Sequence, residues 1–547
     1  MSTDQQARPA PQQPASSARG VRAAGALCGV LAAAVTLGVA ELAAALVGRT
    51  ASPVVVVGGA FVDRTPRWLK EYAIRRFGED DKAVLVGGIL VVLVLVAAAL
   101  GAVAVRRLRV GYAGVALLGA VGAAAALSRP QAQPLDALPS LAGALAGAAA
   151  LHVLLVSAVP GRPVDRSGAR RAVPGARRVR ERLAAGDRRG GLDRRGLLLA
   201  GLWSGVVAVA AGGLGRVLLR RSDAAASRAA VRLPRPASPA PPLPAGVEVA
   251  ADGVAPFVTP NRSFYRVDTA LVVPQVRAED WSLRVHGMVE RELRLDFAEL
   301  LARPLLERDI TLTCVSNEVG GPLVGSARWL GAPLADLLAE AGVRSGATQL
   351  VARSVDGMTI GTPVSAVMDG RDALLAVGMN GEPLPAQHGF PVRMVVPGLY
   401  GYVSACKWLV DLELTTFDAY DAYWVDRGWA EEAPIKVSSR IDTPKAFARV
   451  EPGTTVPVAG VAWAQTRGIA RVEVRVDGGP WQEARLGASA GDDTWRQWVW
   501  PWAVEGGGSH TLQVRATDAD GVVQVEERAT PFPSGSTGWH SVVVTGG

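Results

Sequence analysis

One cysteine of this chain has a sequence context that favours metal chemistry. Residues Asp309–Cys314 read DITLTC, an alternation typical of a strand, and a polar loop containing Gly320 and Gly321 follows the cysteine. A cysteine at the end of a strand is usually a packing residue. Here the glycine loop leaves room beside the sulfur, and soft thiolates suit redox-active transition metals. The pattern therefore favours a thiolate at Cys314 that reaches a cofactor.

The other cysteines and the histidines argue against several metal centres. Three cysteines occur, none in a zinc or iron–sulfur spacing, and too few for a disulfide framework. Cys28 lies in an apolar segment, and we expect Cys406 to be structural. Of the five histidines, only His152 lies in an apolar segment. A haem with two histidine ligands is therefore not expected, and we predict no haem in this chain.

Around Cys314 the sequence resembles the sulfite oxidase family of molybdenum enzymes. Thr311–Asn317 reads TLTCVSN, and Trp329–Leu338 reads WLGAPLADLL. Further family motifs follow in the same order: MNGEPLP at 379–385, HGFPVR at 388–393, VPG at 396–398, YG at 400–401 and KWL at 407–409. The resemblance runs from about Val258 to the C-terminus. It implies a domain that binds molybdenum–molybdopterin, followed by an immunoglobulin-like dimerisation domain and hence a homodimer.

The resemblance also implies roles for individual residues. Cys314 would be the metal ligand and, with Arg266 facing the substrate, a catalytic residue. The cofactor-binding positions that it implies are Phe264, Tyr265, Arg266, Cys314, Ser354, Asp356, His388, Arg393, Ser404, Ala405 and Lys407. Cationic donors among them suit the phosphate of the pterin, and Ser404 and Ala405 would lend backbone groups.

The reaction that the resemblance implies is oxygen-atom transfer on a small oxyanion or a sulfoxide-type substrate. Electrons would pass to or from a separate partner, because the sequence holds no second redox site. Sulfite-oxidising relatives often carry arginines where this chain has Glu318 and Val319, so the substrate stays open. The family's catalytic tyrosine region falls near Asp421–Trp429, where Tyr423 is one candidate.

The soluble half has the mixed pattern of an α+β domain. The predicted strands are Trp281–Val289, Asp309–Cys314, Gln349–Ser354, Ala373–Val377 and Val392–Val396, and the predicted helices are Asp296–Ala302 and Leu334–Ala341. After about Thr443 the strand-like segments Thr455–Trp463, Ile469–Val476, Trp495–Trp502 and His510–Thr517 predict an all-β immunoglobulin-like sandwich.

The first part of the chain has the composition of a membrane protein. Five apolar stretches approach the roughly 20 residues that span a bilayer, namely Val21–Val47, Ala83–Val105, Val110–Leu127, Leu138–Val159 and Gly196–Leu219. Arg106, Arg107, Arg109 and the twelve arginines of Gly161–Arg195 should lie on the cytoplasmic side. This predicts a multi-pass protein of the cytoplasmic membrane whose C-terminal half is extracytoplasmic.

Two further features bear on export and spacing. Arg194 and Arg195 before an apolar run resemble a twin-arginine export signal, although they also fit as two more cytoplasmic arginines. The segment Leu233–Pro244, LPRPASPAPPLP, is too rich in proline for a helix and should be an extended spacer.

The sequence thus predicts a multi-domain chain. The expected regions are a disordered N-terminus at 1–20, transmembrane helices at 21–220, a linker at 221–246, the molybdopterin domain at 247–440 and the immunoglobulin-like domain at 441–547. The net charge of +8 does not indicate nucleic-acid binding, because the arginines cluster between apolar segments. The alternatives are a non-catalytic binding or scaffold protein and a membrane half that acts as a quinol-linked subunit.

Overall fold

The computed structural model describes residues 18–66, 69, 72, 76, 81–129, 132–158, 194–221 and 224–547. The first 17 residues and most of the arginine-rich loop 161–195 lie outside them, as do the predictions made for those segments. The described chain forms two compact units. One comprises residues up to Ser222 together with Ala270–Val272, and the other comprises Asp223–Thr269 and Val273–Gly547.

The first unit is helical. Its helices are α1 (Ala18–Val47), α2 (Pro53–Arg64), α3 (Asp81–Ala104), α4 (Leu108–Leu127), α5 (Leu138–Ser157) and α6 (Arg194–Arg221). Five of these, all except α2, are long and apolar enough to cross a membrane. The five predicted apolar helices are therefore confirmed, and Val54–Ala60, too short to span, lies within α2.

Small residues let these helices approach closely. A Cβ atom at Gly29 of α1 would lie 2.0 Å from the carbonyl oxygen of Ala97 of α3. One at Gly147 of α5 would lie 1.9 Å from Oγ1 of Thr36 of α1. Such backbone contacts are how helices associate in lipid, where the hydrophobic effect offers no driving force between them.

One mixed sheet and one antiparallel sheet form the central part of the second unit. Their strands are β1 (Ser282–Gly287), β2 (Leu293–Asp296), β3 (Leu306–Thr313), β4 (Val324–Pro333), β5 (Gln349–Ser354), β6 (Thr359–Pro363), β7 (Leu374–Met379), β8 (Glu382–Pro383), β9 (Arg393–Val395) and β10 (Leu409–Thr415). The first sheet has the order β2-β1-β10-β5-β6, with β1 and β10 parallel. The second has the order β3-β4-β7-β8, with β9 beside β7.

Five short helices accompany these strands, the first of them before β1. They are α7 (Ala224–Ala230), α8 (Phe297–Leu301), α9 (Leu334–Ala341), α10 (Val364–Met368) and α11 (Gly401–Ser404). Asp296 caps the N-terminus of α8. Its Oδ1 accepts from the backbone NH of Glu299 at 2.8 Å, and Glu299 Oε2 accepts from the NH of Asp296 at 2.8 Å. This reciprocal capping box fixes where the helix begins.

The proline-rich segment is extended, and it is part of the second unit. The backbone NH of Ala237 donates to the carbonyl of Leu305 at 2.8 Å, and Glu307 donates to the carbonyl of Ser238 at 2.9 Å. The segment thus continues the ladder at the start of β3 and is fixed to the domain it precedes. A sequence rich in proline can lie at a sheet edge in this way because it still offers carbonyl acceptors.

The C-terminal region is a two-sheet β-sandwich. Its strands are β11 (Ser438–Thr443), β12 (Arg449–Val450), β13 (Thr455–Trp463), β14 (Ile469–Val476), β15 (Gln482–Glu483), β16 (Arg485–Leu486), β17 (Arg496–Ala503), β18 (Gly508–Asp518) and β19 (His540–Gly546). One sheet has the order β11-β13-β17-β16 and the other β12-β19-β18-β14-β15. The buried side chains of Trp498 and Leu512 belong to its core. Trp463 and Trp495 instead pack into the core of the preceding domain.

Candidate cofactor site

Cys314 directly follows β3 and opens a loop that the fold holds in place. Its backbone NH donates to the carbonyl of Leu323 at 2.9 Å, and its carbonyl accepts from the NH of Asn317 at 3.0 Å. The side chain of Asn317 then accepts from the NH of Leu323 at 2.8 Å. These bonds close the loop, so the position of the cysteine is set by the strand before it and the turn after it.

Cys314 lies in the wall of a partly open cavity of about 100 Å³. Of the residues proposed from the sequence, those in the wall are Phe264, Tyr265, Cys314, Ser354, His388, Arg393, Ala405 and Lys407. They come from several distant segments of the chain, and the fold brings them together.

Aromatic rings form one side of this cavity. Phe264 stacks on Tyr265 with ring centroids 5.2 Å apart, and its edge meets the rings of His388 and Trp329 at 5.6 and 5.8 Å. The guanidinium carbon of Arg393 lies 5.0 Å from the ring centroid of Trp329. The segment before the first sheet is therefore packed against the site, as expected for residues that contact a cofactor.

Arg393 is a buried cation. It donates to the carbonyl of His388 at 3.2 Å and, at the limit of hydrogen bonding, to that of Ala405 at 3.5 Å. Its Nε has no hydrogen-bond partner among the described residues, and neither has the buried hydroxyl of Ser354. Burial lowers the pKa of Arg393 to about 10, so the side chain is still charged at neutral pH. Buried donors that lack partners fit an anionic, polar ligand.

His388 is a neutral member of the site. Its Nε2 lies 2.9 Å from the carbonyl oxygen of Asn261, which requires a proton on that nitrogen. Burial and the nearby charges of Arg393, Lys407 and Arg266 lower the pKa of His388 to about 4. The ring therefore donates to the backbone and leaves Nδ1 as an acceptor.

Arg266 and Lys407 share one carboxylate. Arg266 Nε lies 3.1 Å from Oδ2 of Asp268, and Lys407 Nζ lies 3.0 Å from the same oxygen. The Asp268 side chain is only 4% exposed. The pairing places two cations in or beside the cavity, which suits an anionic group of a cofactor or substrate.

Three predicted residues lie outside the cavity wall. Arg266 is one-third exposed and turned to Asp268. Ser404 is fully buried, and its hydroxyl donates to the carbonyls of Leu399 and Tyr400. Asp356 accepts from the backbone NH of Met358 at 3.3 Å. The structure therefore gives Ser404 and Asp356 roles in shaping the backbone around the cavity, and their direct contact with a cofactor stays a prediction.

Other wall residues were not proposed as cofactor contacts from the sequence. They are Val267, Asp268, Thr269, Met358, Ile360, Gly401, Tyr402, Cys406 and Trp424. Asp268 could have been proposed from the sequence, because its carboxylate follows Arg266 by two positions. The region of Tyr423 does reach the cavity, but through its neighbour Trp424. The ring of Tyr423 lies instead under the guanidinium of Arg427, at 3.7 Å.

The thiols of the cavity are protonated in the free chain. Burial raises the pKa of Cys314, while hydrogen bonds from Ser316 and the charge of Lys407 act in the opposite direction. Burial also raises the pKa of Cys406, and the charges of Arg393 and Lys407 offset this rise only in part. A soft metal would displace the proton of Cys314 on binding, as metals do with thiol ligands. Among the described residues no cluster of three metal-ligating side chains occurs, so the chain offers a single thiolate rather than a closed metal cage.

The C-terminal sandwich braces the strand that carries Cys314. The NH of Thr311 donates to the carbonyl of Asp493 at 2.9 Å, and its Oγ1 accepts from the NH of Trp495 at 2.8 Å. Arg440 donates to the carbonyl of Gly321 at 2.9 Å, and Ser536 donates to that of Asn317 at 2.7 Å. Both the strand and the loop after the cysteine thus depend on the sandwich.

Comparisons with known proteins agree with this arrangement. The sequence model of the family described as "Oxidoreductase molybdopterin binding domain" matches residues 270–424, and that of the bacterial Ig domain matches residues 438–514. Sulfite oxidase of Gallus gallus is 32% identical over 340 residues, which cover 52% of this chain and 72% of that protein.

Two further proteins are similar to this chain. Mitochondrial sulfite oxidase of Rattus norvegicus is 32% identical over 291 residues, 45% of this chain and 52% of the rat protein. The chain therefore spans about half the length of that relative. The crystal structure of the sulfane dehydrogenase SoxCD from Paracoccus pantotrophus is similar over 54% of this chain and 82% of that chain, at 25% identity and with a TM-score of 0.47. From the share of the Gallus gallus enzyme that is matched and from the molybdopterin domain, the chain belongs to the sulfite oxidase family of molybdopterin-dependent oxidoreductases.

Proposed function

We propose that this protein is a membrane-anchored enzyme that transfers an oxygen atom to or from a small oxyanion or sulfoxide. The observation that carries the proposal is the cavity in which Cys314 faces buried donors without partners. Arg393 Nε and Ser354 Oγ are free to bind the polar parts of a pterin cofactor. A redox metal held by one thiolate, in a site lined by cations, suits an anionic substrate.

The chemistry of each side chain determines its role in the proposed reaction. When bound, the molybdenum group supplies a metal that changes its oxidation state by two electrons. Cys314 gives up its proton and binds the metal as a thiolate. Arg393 and Lys407 bind the cofactor phosphate through charge-assisted hydrogen bonds. Arg266, held by Asp268, orients an anionic substrate, and the rings of Phe264 and Tyr265 exclude water from one side.

The helical unit anchors the enzyme in this proposal. Five apolar helices of sufficient length support a multi-pass protein of the cytoplasmic membrane. The positions of Arg106, Arg107 and Arg109 favour an extracytoplasmic C-terminal half. Arg194 and Arg195 would then serve as a twin-arginine signal that exports the folded, cofactor-loaded domain. Fusing alkaline phosphatase or a cytoplasm-dependent fluorescent protein to Gly547 tests the side. Phosphatase activity is expected, and fluorescence alone would exclude an extracytoplasmic site.

The proposal also includes an electron-transfer partner and a second copy of this chain. A separate protein or small carrier exchanges electrons with the site, since the described residues contain no second redox centre. The sandwich forms a homodimer, as the resemblance of the C-terminal domain implies. Analytical ultracentrifugation of the detergent-solubilised protein measures this, and a monomer at micromolar concentration would refute the dimer.

Metal analysis of matched cysteine variants tests the site. Cys314 and Cys406 are both buried, and both lie in the cavity wall. Full-length protein is made in a host that synthesises molybdopterin. We expect Cys314→Ser to lose nearly all of its molybdenum and Cys406→Ser to keep it. A wild-type protein without molybdenum would favour the non-catalytic alternative, and equal metal content in both variants would remove Cys314 as the ligand.

Substrate screening tests the reaction class. Dye-coupled turnover is measured with sulfite, nitrate, sulfoxides and N-oxides. If Arg266 orients an anion, Arg266→Gln should raise KM for sulfite or nitrate roughly tenfold or more, while KM for a neutral sulfoxide changes little. An equal change for charged and neutral substrates would exclude this role.

A further inference from the structure

The helical unit contains a cavity of its own. It has a volume of about 160 Å³ and is lined by residues of α1, α2, α3, α4 and α5. Its wall includes the small residues Gly29, Ala33, Gly101, Gly119, Gly122 and Ser140. Seven of the 20 described wall residues are glycine or alanine, and ten are valine, leucine or isoleucine, so the wall is almost entirely apolar.

Ser140 brings an unsatisfied polar atom into these apolar surroundings. Its residue is 3% exposed, and its hydroxyl has no hydrogen-bond partner among the described residues. Thr36, the other hydroxyl in the wall, differs because it donates to the carbonyl of Ala32 at 2.9 Å. A buried hydroxyl without a partner is costly, and more so where lipid replaces water. The free donor therefore points to a ligand that carries a hydrogen-bond acceptor.

The wall also limits the kind of ligand. None of the described residues that line the cavity is charged, so it offers nothing to a phospholipid headgroup. The apolar wall suits a lipid-soluble ring compound, and the free hydroxyl suits one carbonyl oxygen of that compound. Leu118 and Val121 of the wall are exposed on the outside of the bundle, which lets an apolar tail leave toward the lipid.

We propose that this cavity binds an isoprenoid quinone, with one ring carbonyl accepting a hydrogen bond from Ser140 and the tail passing Leu118 and Val121. The inference rests on the proposed membrane location and goes beyond the molybdenum site. Quinones are lipid-soluble carbonyl compounds, and they carry the two electrons that an oxygen-atom transfer releases or consumes. The proposal concerns binding of the quinone.

Photolabelling of the full-length protein tests the site. Detergent-purified protein is labelled with an azido derivative of decylubiquinone, and the labelled peptides are mapped by mass spectrometry. We expect label on α4 or α5 that excess decylubiquinone displaces. Ser140→Ala removes one hydrogen bond and should weaken decylubiquinone competition about 2- to 10-fold. Ala33→Phe narrows the cavity and keeps the hydroxyl, and it should also reduce labelling.

Ser128→Ala is the matched control. Ser128 lies at the end of α4, and its hydroxyl donates to the carbonyl of Ala125 at 3.0 Å, so this variant should bind like the wild type. Label on other helices that decylubiquinone does not displace would overturn the proposal. So would equal binding by Ser140→Ala and Ser128→Ala, or a tightly bound phospholipid that decylubiquinone cannot replace. The measurement needs no turnover, and Cys314→Ser should label normally, so a failed molybdenum site would be seen separately.

Discussion

Gln465 donates a hydrogen bond from Nε2 to the carbonyl oxygen of Thr311 at 2.9 Å, three residues before the cysteine of the cofactor site. The same nitrogen lies 3.2 Å from Oγ1 of Thr313. Both partners belong to β3, and Gln465 comes from the C-terminal sandwich. This side chain therefore links the position of the thiolate to a domain that the resemblance associates with dimerisation.

Replacing Gln465 should destabilise the cysteine strand. Gln465→Leu leaves the buried carbonyl of Thr311 without a partner, which costs about 1–3 kcal/mol. Urea unfolding of a fragment starting at Asp223, followed by tryptophan fluorescence, measures the loss. Gln482→Leu is the control, because Gln482 is exposed on β15. Equal stability of the two variants would mean that Gln465 does not support β3.

Gly320 should tolerate no side chain. It has a φ of +81°, and a Cβ atom there would lie 2.2 Å from the imidazole of His540. Gly506 has a φ of +87° but nothing within 4 Å of the same position. Gly506→Ala should cost only the backbone strain, about 1–2 kcal/mol. Gly320→Ala should cost roughly 1–3 kcal/mol more, because the cysteine loop must move away from the sandwich. Equal losses in thermal unfolding would show that the loop accommodates the methyl group.

Local sequence patterns predicted the helices and strands well where the hydrophobic periodicity was unambiguous. The strands Gln349–Ser354 and Thr455–Trp463 and the helix Leu334–Ala341 have the predicted bounds, because alternation and helical periodicity are local properties. Motif order also predicted which distant residues meet at Cys314. Their individual roles remain predictions until the variants above are measured.

Long-range contacts account for what the sequence did not predict. Asp268 pairs with Lys407 across 139 positions, and no local pattern indicates such a partner. The proline-rich segment was expected to be a spacer, but its carbonyls and amides meet the backbone around Leu305. Thr311 was recognised as part of a motif, while its bonds to the sandwich depend on tertiary packing alone.

His388 should make stability depend on pH. Burial lowers its pKa to about 4, below the 6.5 of an ordinary histidine. Between these values the unfolded chain binds a proton that the folded chain does not, so stability falls as pH decreases through this window. From pH 7.5 to pH 5 the loss from this residue should be about 2 kcal/mol. His388→Gln should remove that part of the slope in urea unfolding of the fragment.

His540 provides a comparison in the same window. Burial, followed by the charge of Arg440, lowers its pKa to about 4, and its Nδ1 accepts from the backbone NH of Ile441 at 3.0 Å. His540→Gln should therefore also flatten the dependence, and the double variant should no longer lose stability as the pH falls from 7.5 to 5. Burial raises the pKa of Asp493 to about 6, so this carboxyl acts in the opposite direction in the same window. An unchanged slope in the double variant would mean that other groups control acid stability.

Arg393 should affect cofactor loading far more than folding. Its charge is buried without a carboxylate within 4 Å among the described residues, so Arg393→Gln removes a desolvation cost together with weak bonds to two carbonyls. The unfolding free energy of cofactor-free protein should change by less than about 1 kcal/mol. Loss of a charge-assisted bond should lower the pterin content at limiting cofactor about 10- to 100-fold.

Arg353 is the matched control, because it pairs with Glu413 at 2.5 Å and lies outside the cavity wall. Arg353→Gln should lower stability and leave pterin content unchanged. If Arg393→Gln instead unfolds the domain and Arg353→Gln loses pterin, the buried cation serves the fold and the cofactor phosphate is bound elsewhere.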